Sequence, residues 1–195
     1  MSLVAPLVLA STSIYRRQLL ERLGVPFTVA SPETDETRLP DEPPEALVER
    51  LAEAKARAVA ERFPDAVIIA SDQVAVIDGR VLGKPGSPEN AAAQLRLASG
   101  REVVFHNGLA LLAPVEPRLQ QALILFRVHF RPLREDTIQR YLERDRPFDC
   151  AGGFKSEQLG IALFSRMEGE DPTALMGLPL IALTGMLERI GMPVV

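Results

Sequence analysis

The chain has 195 residues, 47% of them apolar and 25% charged, with a formal net charge of −4. That balance supplies a sizeable core and argues against a general nucleic-acid binder, which needs a basic surplus on one face. One cysteine, Cys150, and two distant histidines, His106 and His129, exclude an intrachain disulfide and a Cys/His zinc site, leaving carboxylates as ligands for a hard cation such as Mg²⁺.

In chain order, the apolar run at 7–10 (LVLA) predicts a buried strand. Ser11 or Ser13 can cap a helix whose stripe is Leu19, Leu20 and Leu23, stopped by Gly24 with Pro26 behind it. Residues 27–30 (FTVA) predict a second strand, and the acidic, proline-rich stretch at 31–45 is too long for a mere connector. A long helix follows from residue 44 with Leu47, Leu51, Ala54, Ala58 and Val59 on one face. "AVIIASD" predicts a strand that ends at Asp72, and Asp78-Gly79 a hairpin turn. Ser87 and Pro88 open a helix that Gly100 closes. Two long strands (102–113 and 123–133), a helix at 134–144, a glycine-containing loop at 146–160, a strand near 161–165 and a helix near 178–190 complete the chain. Alternating strands and helices followed by adjacent strands predict an α/β fold with a mixed, twisted sheet. No stretch reaches the ~20 apolar residues of a membrane span, and no signal-peptide pattern opens the chain, so a cytoplasmic location is expected.

Five stretches carry candidate chemistry. The helix beginning at Ser13 places Arg16 and Arg17 in its first turns, where the macrodipole favours anions. A strand running into a hydroxyl-rich turn and a helix start suits phosphate, with arginines adding bidentate donors; ordinary capping with solvated arginines competes evenly. Asp72, placed past a strand end, can hold a metal or orient water, although a strand-end turn residue is the commoner reading. Lys84, between Gly83 and Pro85, suits a point charge for phosphate. Glu33, Asp35 and Glu36, with Lys55 on the next helix, suit a Mg²⁺ that keeps several waters. Lys155, Ser156 and Glu157, after two glycines, offer a cation, a hydroxyl and a carboxylate to a ligand that the backbone approaches closely. Singly each is also explained as solvated surface. Together they equip a nucleotide-processing site.

The ordered set "LASTSIYRRQLLE", Asp35-Glu36, "AEAKA", "SDQV", "GKP" and "GGFKSEQLGI…GLPL" resembles the Maf (septum formation inhibitor-like) family of nucleoside triphosphate pyrophosphatases. The resemblance spans nearly the whole chain, so residues 1–195 are expected to form a single Maf-like domain. It implies an elongated two-lobed α/β fold, similar to inosine triphosphatase, with the active site in the cleft between lobes. It also implies hydrolysis of a nucleoside triphosphate to the monophosphate and pyrophosphate with a divalent metal, Mg²⁺ or Mn²⁺. By the same resemblance Ser13, Arg16, Lys55 and Lys84 bind phosphate, Glu36 and Asp72 hold the metal, and Asp72 acts on water.

Three positions depart from the commonest family form: Tyr15 stands for an arginine, Gln73 for a threonine and Glu157 for a glutamine. This triple change resembles the subfamily that hydrolyses 7-methyl-GTP, although Ile14 stands where that subfamily has proline. An N7-methylated guanine is cationic, so a tyrosine face attracts it where an arginine repels it, and Glu157 can accept from the guanine N1–H and amino group. The alternatives are a dTTP/UTP-type Maf pyrophosphatase, against which positions 15, 73 and 157 speak, and a nucleotide-binding regulator of cell division. The expected partner is a nucleoside triphosphate, with no nucleic acid and no membrane, and a homodimer is left open.

Overall fold

A computed structural model describes residues 5–116 and 118–195. Strand β1 (Leu7–Ala10) leads into helix α1 (Ile14–Glu21), β2 (Thr28–Ala30), α2 (Pro44–Ala60), β3 (Val67–Ile77) and β4 (Arg80–Leu82). Then come α3 (Pro88–Ala98), β5 (Glu102–Leu112), β6 (Leu119–Phe130), α4 (Glu135–Asp145), β7 (Phe164–Glu168) and α5 (Leu180–Arg189). The seven strands form one mixed sheet in the order β2-β1-β3-β5-β6-β7, with β4 paired to β3. β1 runs parallel to β2 and β3, and the remaining pairs are antiparallel. This is the mixed α/β sheet expected from the sequence. No helix among the described residues is long and apolar enough to cross a membrane.

Side-chain alternation sorts the sheet's faces. Leu7, Leu9, Val67 and Ile69 pack with Leu19 and Leu20 of α1 and with α5. Val8, Ala10, Ile68 and Ala70 pack with Ala52, Ala56 and Val59 of α2. The far halves of β3, β5 and β6 belong to another core, with Ala75, Phe105 and Phe130 packed under α3 and α4. The long strands therefore traverse two lobes, and Asp72 lies where the cores of the two lobes meet.

Two expectations are corrected. Asp72 does not end a strand: β3 continues to Ile77 because it pairs with β5 from Ile68 through Val76, and Asp72 stands opposite Gly108. Residues Leu159–Leu163 form a 3-10 helix, and the strand begins only at Phe164. The Asp78-Gly79 hairpin is as read, with both residues at positive φ.

Candidate active site

The site begins as a gap in a sheet edge. On one side of β3, pairing with β1 covers Val67–Ile69 and pairing with β4 covers Ala75–Ile77. Among the described residues, the strand between them has no ladder partner on that side. The turn after β1 and the turn after β4 both open into this gap, which is the floor of a cavity of about 550 Å³. Ser13, Arg16, Glu36 and Lys55 line it, as do Asp72, Gln73 and Lys84. Tyr15 and Glu157 line it too, beside Asp149, Cys150 and Ser156.

At the centre is Lys55, whose side chain is 5% exposed. Its Nζ donates to Asp72 Oδ1 at 2.6 Å and reaches Glu36 Oε1 at 2.8 Å. Asp72 is buried while the Glu36 side chain is 59% exposed. Position follows from packing: Gly108 lets α2 lie against β5, because a Cβ there would sit 2.1 Å from the Val48 carbonyl oxygen. Small Ala52 and Ala56 continue the close approach, so Lys55 reaches the sheet. A buried cation demands paired, hydrogen-bonded anions, and here it has two.

Ser13 caps α1, its side chain accepting from the Arg16 N–H at 3.4 Å. Arg16 donates from Nε to the Gly177 carbonyl at 2.8 Å. Burial lowers the pKa of its guanidinium, and the charges of Asp72 and Glu36 oppose that shift. Burial alone would raise the Glu36 carboxyl, but Lys55, Lys84 and Arg16 hold it below the usual carboxylate value. The part of the cleft around Lys55 is thus a mesh of cations and carboxylates. At the other end, burial and then the neighbouring Cys150, Asp149 and Glu157 raise the Tyr15 phenol. Burial and Asp149 push the Cys150 thiol up to about 12. This end presents a neutral aromatic face beside carboxylates.

Other candidates fall outside. Arg17 pairs with Glu21 at 2.9 Å on the surface, one helical step round from Arg16. Lys155 turns to the Asp145 carbonyl at 3.2 Å. Asp35 accepts from the Thr37 N–H in its own loop, and Glu33 does not line the cavity. Among the described residues no group of three or more His, Cys, Asp or Glu is placed to hold a metal ion; Glu36 and Asp72 are the cleft carboxylates that share Lys55. Gln73 Nε2 is engaged with Asn107 Oδ1 at 3.1 Å and the carbonyls of Ala174 and Leu175 at 2.8 and 3.2 Å. Its donors are therefore spent within the protein. Asp171, buried and hydrogen-bonded to two helix starts, went unread in the sequence; Asp followed by Pro172, an N-cap and N1 pair, was its signal.

Two curated relatives named 7-methyl-GTP pyrophosphatase match the chain. One, from Pseudomonas aeruginosa, is 54% identical over 188 residues, covering 96% of this chain and 98% of that protein. The other, from Nitrosococcus oceani, is 53% identical over 188 residues, covering 96% of this chain and 94% of that protein. The profile of the family described as Maf-like protein matches residues 6–190, which include every residue that lines the cleft, and the chain belongs to that family.

Proposed function

We propose that this protein is a nucleoside triphosphate pyrophosphatase that converts 7-methyl-GTP to 7-methyl-GMP and pyrophosphate. The observation that carries the reading is the shared burial of Lys55 and Asp72 in a cleft with cations at one end and a tyrosine among carboxylates at the other. The names of the two relatives agree with it, and a cytoplasmic location suits a nucleotide substrate.

Hydrolysis adds water across the bridge between the α- and β-phosphates. One P–O bond forms, the bridging P–O bond breaks, and pyrophosphate leaves. In this reading Asp72 orients the water and accepts its proton, since the carboxylate is fixed by β3 and by Lys55. Arg16 and Lys84 bind phosphate oxygens, with the amides at the start of α1 adding donors. Lys55 holds Asp72 and Glu36 in place. Those two carboxylates would hold a Mg²⁺ or Mn²⁺, which would supply charge neutralisation on the triphosphate. Tyr15 offers its face to the cationic base and Glu157 accepts from the guanine edge.

Pyrophosphate release from 7-methyl-GTP, GTP and UTP, measured with Mg²⁺ on wild type, Glu157→Gln and Tyr15→Arg, tests the reading. Wild type should have its highest kcat/KM on 7-methyl-GTP. Tyr15→Arg should lower the preference for it over GTP by about 2- to 30-fold, the worth of a cation–π contact, and Glu157→Gln should lower it through the loss of a charge-assisted hydrogen bond. A wild type that prefers UTP would overturn the assignment. An unchanged ratio in both variants would remove Tyr15 and Glu157 from base selection.

A further inference from the structure

At the wall of the cleft, where Leu175 and Met176 line it, a short 3-10 turn, Pro172–Met176, lies between β7 and α5. Its first residue is preceded by Asp171, which is 3% exposed. Asp171 Oδ1 accepts from the Thr173 N–H at 3.0 Å and the Thr173 hydroxyl at 2.6 Å. Its Oδ2 accepts from the Ile181 and Ala182 N–H groups of α5 at 2.7 and 3.4 Å. Thr173 Oγ1 in turn accepts from the Leu180 N–H at 2.7 Å. One carboxylate thus caps two helix starts and ties them together, a placement that unpaired backbone donors and the helix dipole both favour. From the other side Gln73 holds the turn to β3 through the Ala174 and Leu175 carbonyls.

What the clamped turn delivers is Gly177. Its φ of +95 is open to glycine, and a Cβ there would stand 3.3 Å from Arg16 Nε. Its carbonyl accepts from Arg16 Nε at 2.8 Å, which occupies one of the guanidinium's five N–H donors. The terminal amino groups then remain for anions in the cleft. Arg16 belongs to α1, and nothing in α1 itself fixes its long stem. Its direction is set from 161 residues away.

We propose that Asp171 is a positioning residue of the triphosphate site: by clamping the turn to α5 it sets the Gly177 carbonyl that aims Arg16 at the phosphates. Asp171 does not line the cleft and touches no substrate. The inference rests on the reading of Arg16 as a phosphate ligand. An asparagine in its place keeps the shape but sets an amide N–H₂ against the donors of either Thr173 or Ile181, so half of the clamp is lost.

The test is a double-mutant cycle on wild type, Asp171→Asn, Arg16→Ala and the double variant. It reads kcat/KM for 7-methyl-GTP and the calorimetric Kd for inorganic triphosphate. Asp171→Asn should weaken both by about 10-fold in the wild-type background, through KM more than kcat, and by less than about 2-fold where Arg16 is already alanine. Equal losses in the two backgrounds would overturn the proposal, because a cap that merely supports the fold acts with or without Arg16. If Asp171→Asn does not fold, Thr173→Val takes its place in the cycle, with Thr173→Ser expected to restore binding because it keeps the hydroxyl. A wild type that binds triphosphate with this background-dependent loss, yet releases no pyrophosphate from 7-methyl-GTP, retires the substrate reading and keeps the positioning role. A wild type that does not bind triphosphate overturns the role.

Discussion

Asp72 and Glu36 share Lys55 unequally, and the inequality separates their roles. Asp72 is anchored in the middle of a strand with its side chain 9% exposed, whereas Glu36 comes from a loop and is 59% exposed. A group that must meet a water at a set angle gains from the rigid element; a group that meets an incoming phosphate and its cation gains from exposure. Asp72→Asn removes the charge without changing the shape. Turnover should fall at least ~100-fold, the lower end of what a positioned base contributes. Breaking a buried ion pair costs about 3–5 kcal/mol when the partner is left alone, but Glu36 stays on Lys55 and the asparagine oxygen still accepts. The loss of melting temperature should therefore be small. Pyrophosphate release and thermal unfolding of the same variant check both halves, and near-wild-type turnover would remove Asp72 from the chemistry.

At the scale of elements, the site depends on how closely α2 lies on the sheet. Gly108 is the position that decides this, since a Cβ would meet the Val48 oxygen, the Val48 carbonyl carbon and the Glu49 nitrogen at 2.1, 2.4 and 2.8 Å. All three are backbone, so the helix itself must move. Gly108→Ala should cost about 1–3 kcal/mol, as overpacking does, lowering the melting temperature by about 2–12 °C, and should lower turnover as Lys55 withdraws from Asp72. Gly185→Ala is the control: within α5 its Cβ would meet only Arg189 Nη1 at 3.7 Å, and it should stabilise by about 0.5–1 kcal/mol. A Gly108→Ala variant as stable and active as wild type would mean that α2 is not seated by this contact. The same dependence on pairing explains what the sequence leaves unread. Caps at Ser13 and Ser87 and the Asp78-Gly79 turn are local signals, and each stands where its chemistry puts it. The triplet Ser71-Asp72-Gln73 looks like the end of a strand because it is polar, and only the ladder with β5 carries the strand through it. Arg17 and Lys155 have the right charge for the cleft but do not line it: Arg17 pairs with Glu21 on the surface and Lys155 donates to the Asp145 carbonyl, since residue type does not fix side-chain direction. Asp171 acquires its role only when two helix starts meet around it.

On the scale of the whole molecule, β3, β5 and β6 run through both lobes, while the loop that brings Glu36 to the cleft is secured by a separate tie. Glu42 accepts from Arg50 Nε and Nη2 at 2.6 and 2.8 Å and from the Leu39 N–H at 3.1 Å. Arg38 Nε donates to its carbonyl at 2.9 Å. The Arg50 hydrogen bond, against a smaller opposing effect of burial, brings the Glu42 carboxyl down from 4.5 to about 2. The carboxyl of Glu36 is lowered as well. A carboxyl whose folded pKa lies below its unfolded one binds fewer protons in the folded state. Its contribution is then complete above the ordinary carboxylate range and is lost as pH falls through the folded value. The wild-type melting temperature should accordingly decline between about pH 5 and pH 2. Glu42→Gln should melt lower at neutral pH, decline less steeply through that window and converge on wild type near the folded value of about 2. Thermal unfolding of both proteins across the range measures it. Two curves that stay parallel down to the acid limit would show that Glu42 ionisation does not secure the loop, and the acid sensitivity would then belong to other carboxylates, Glu36 among them.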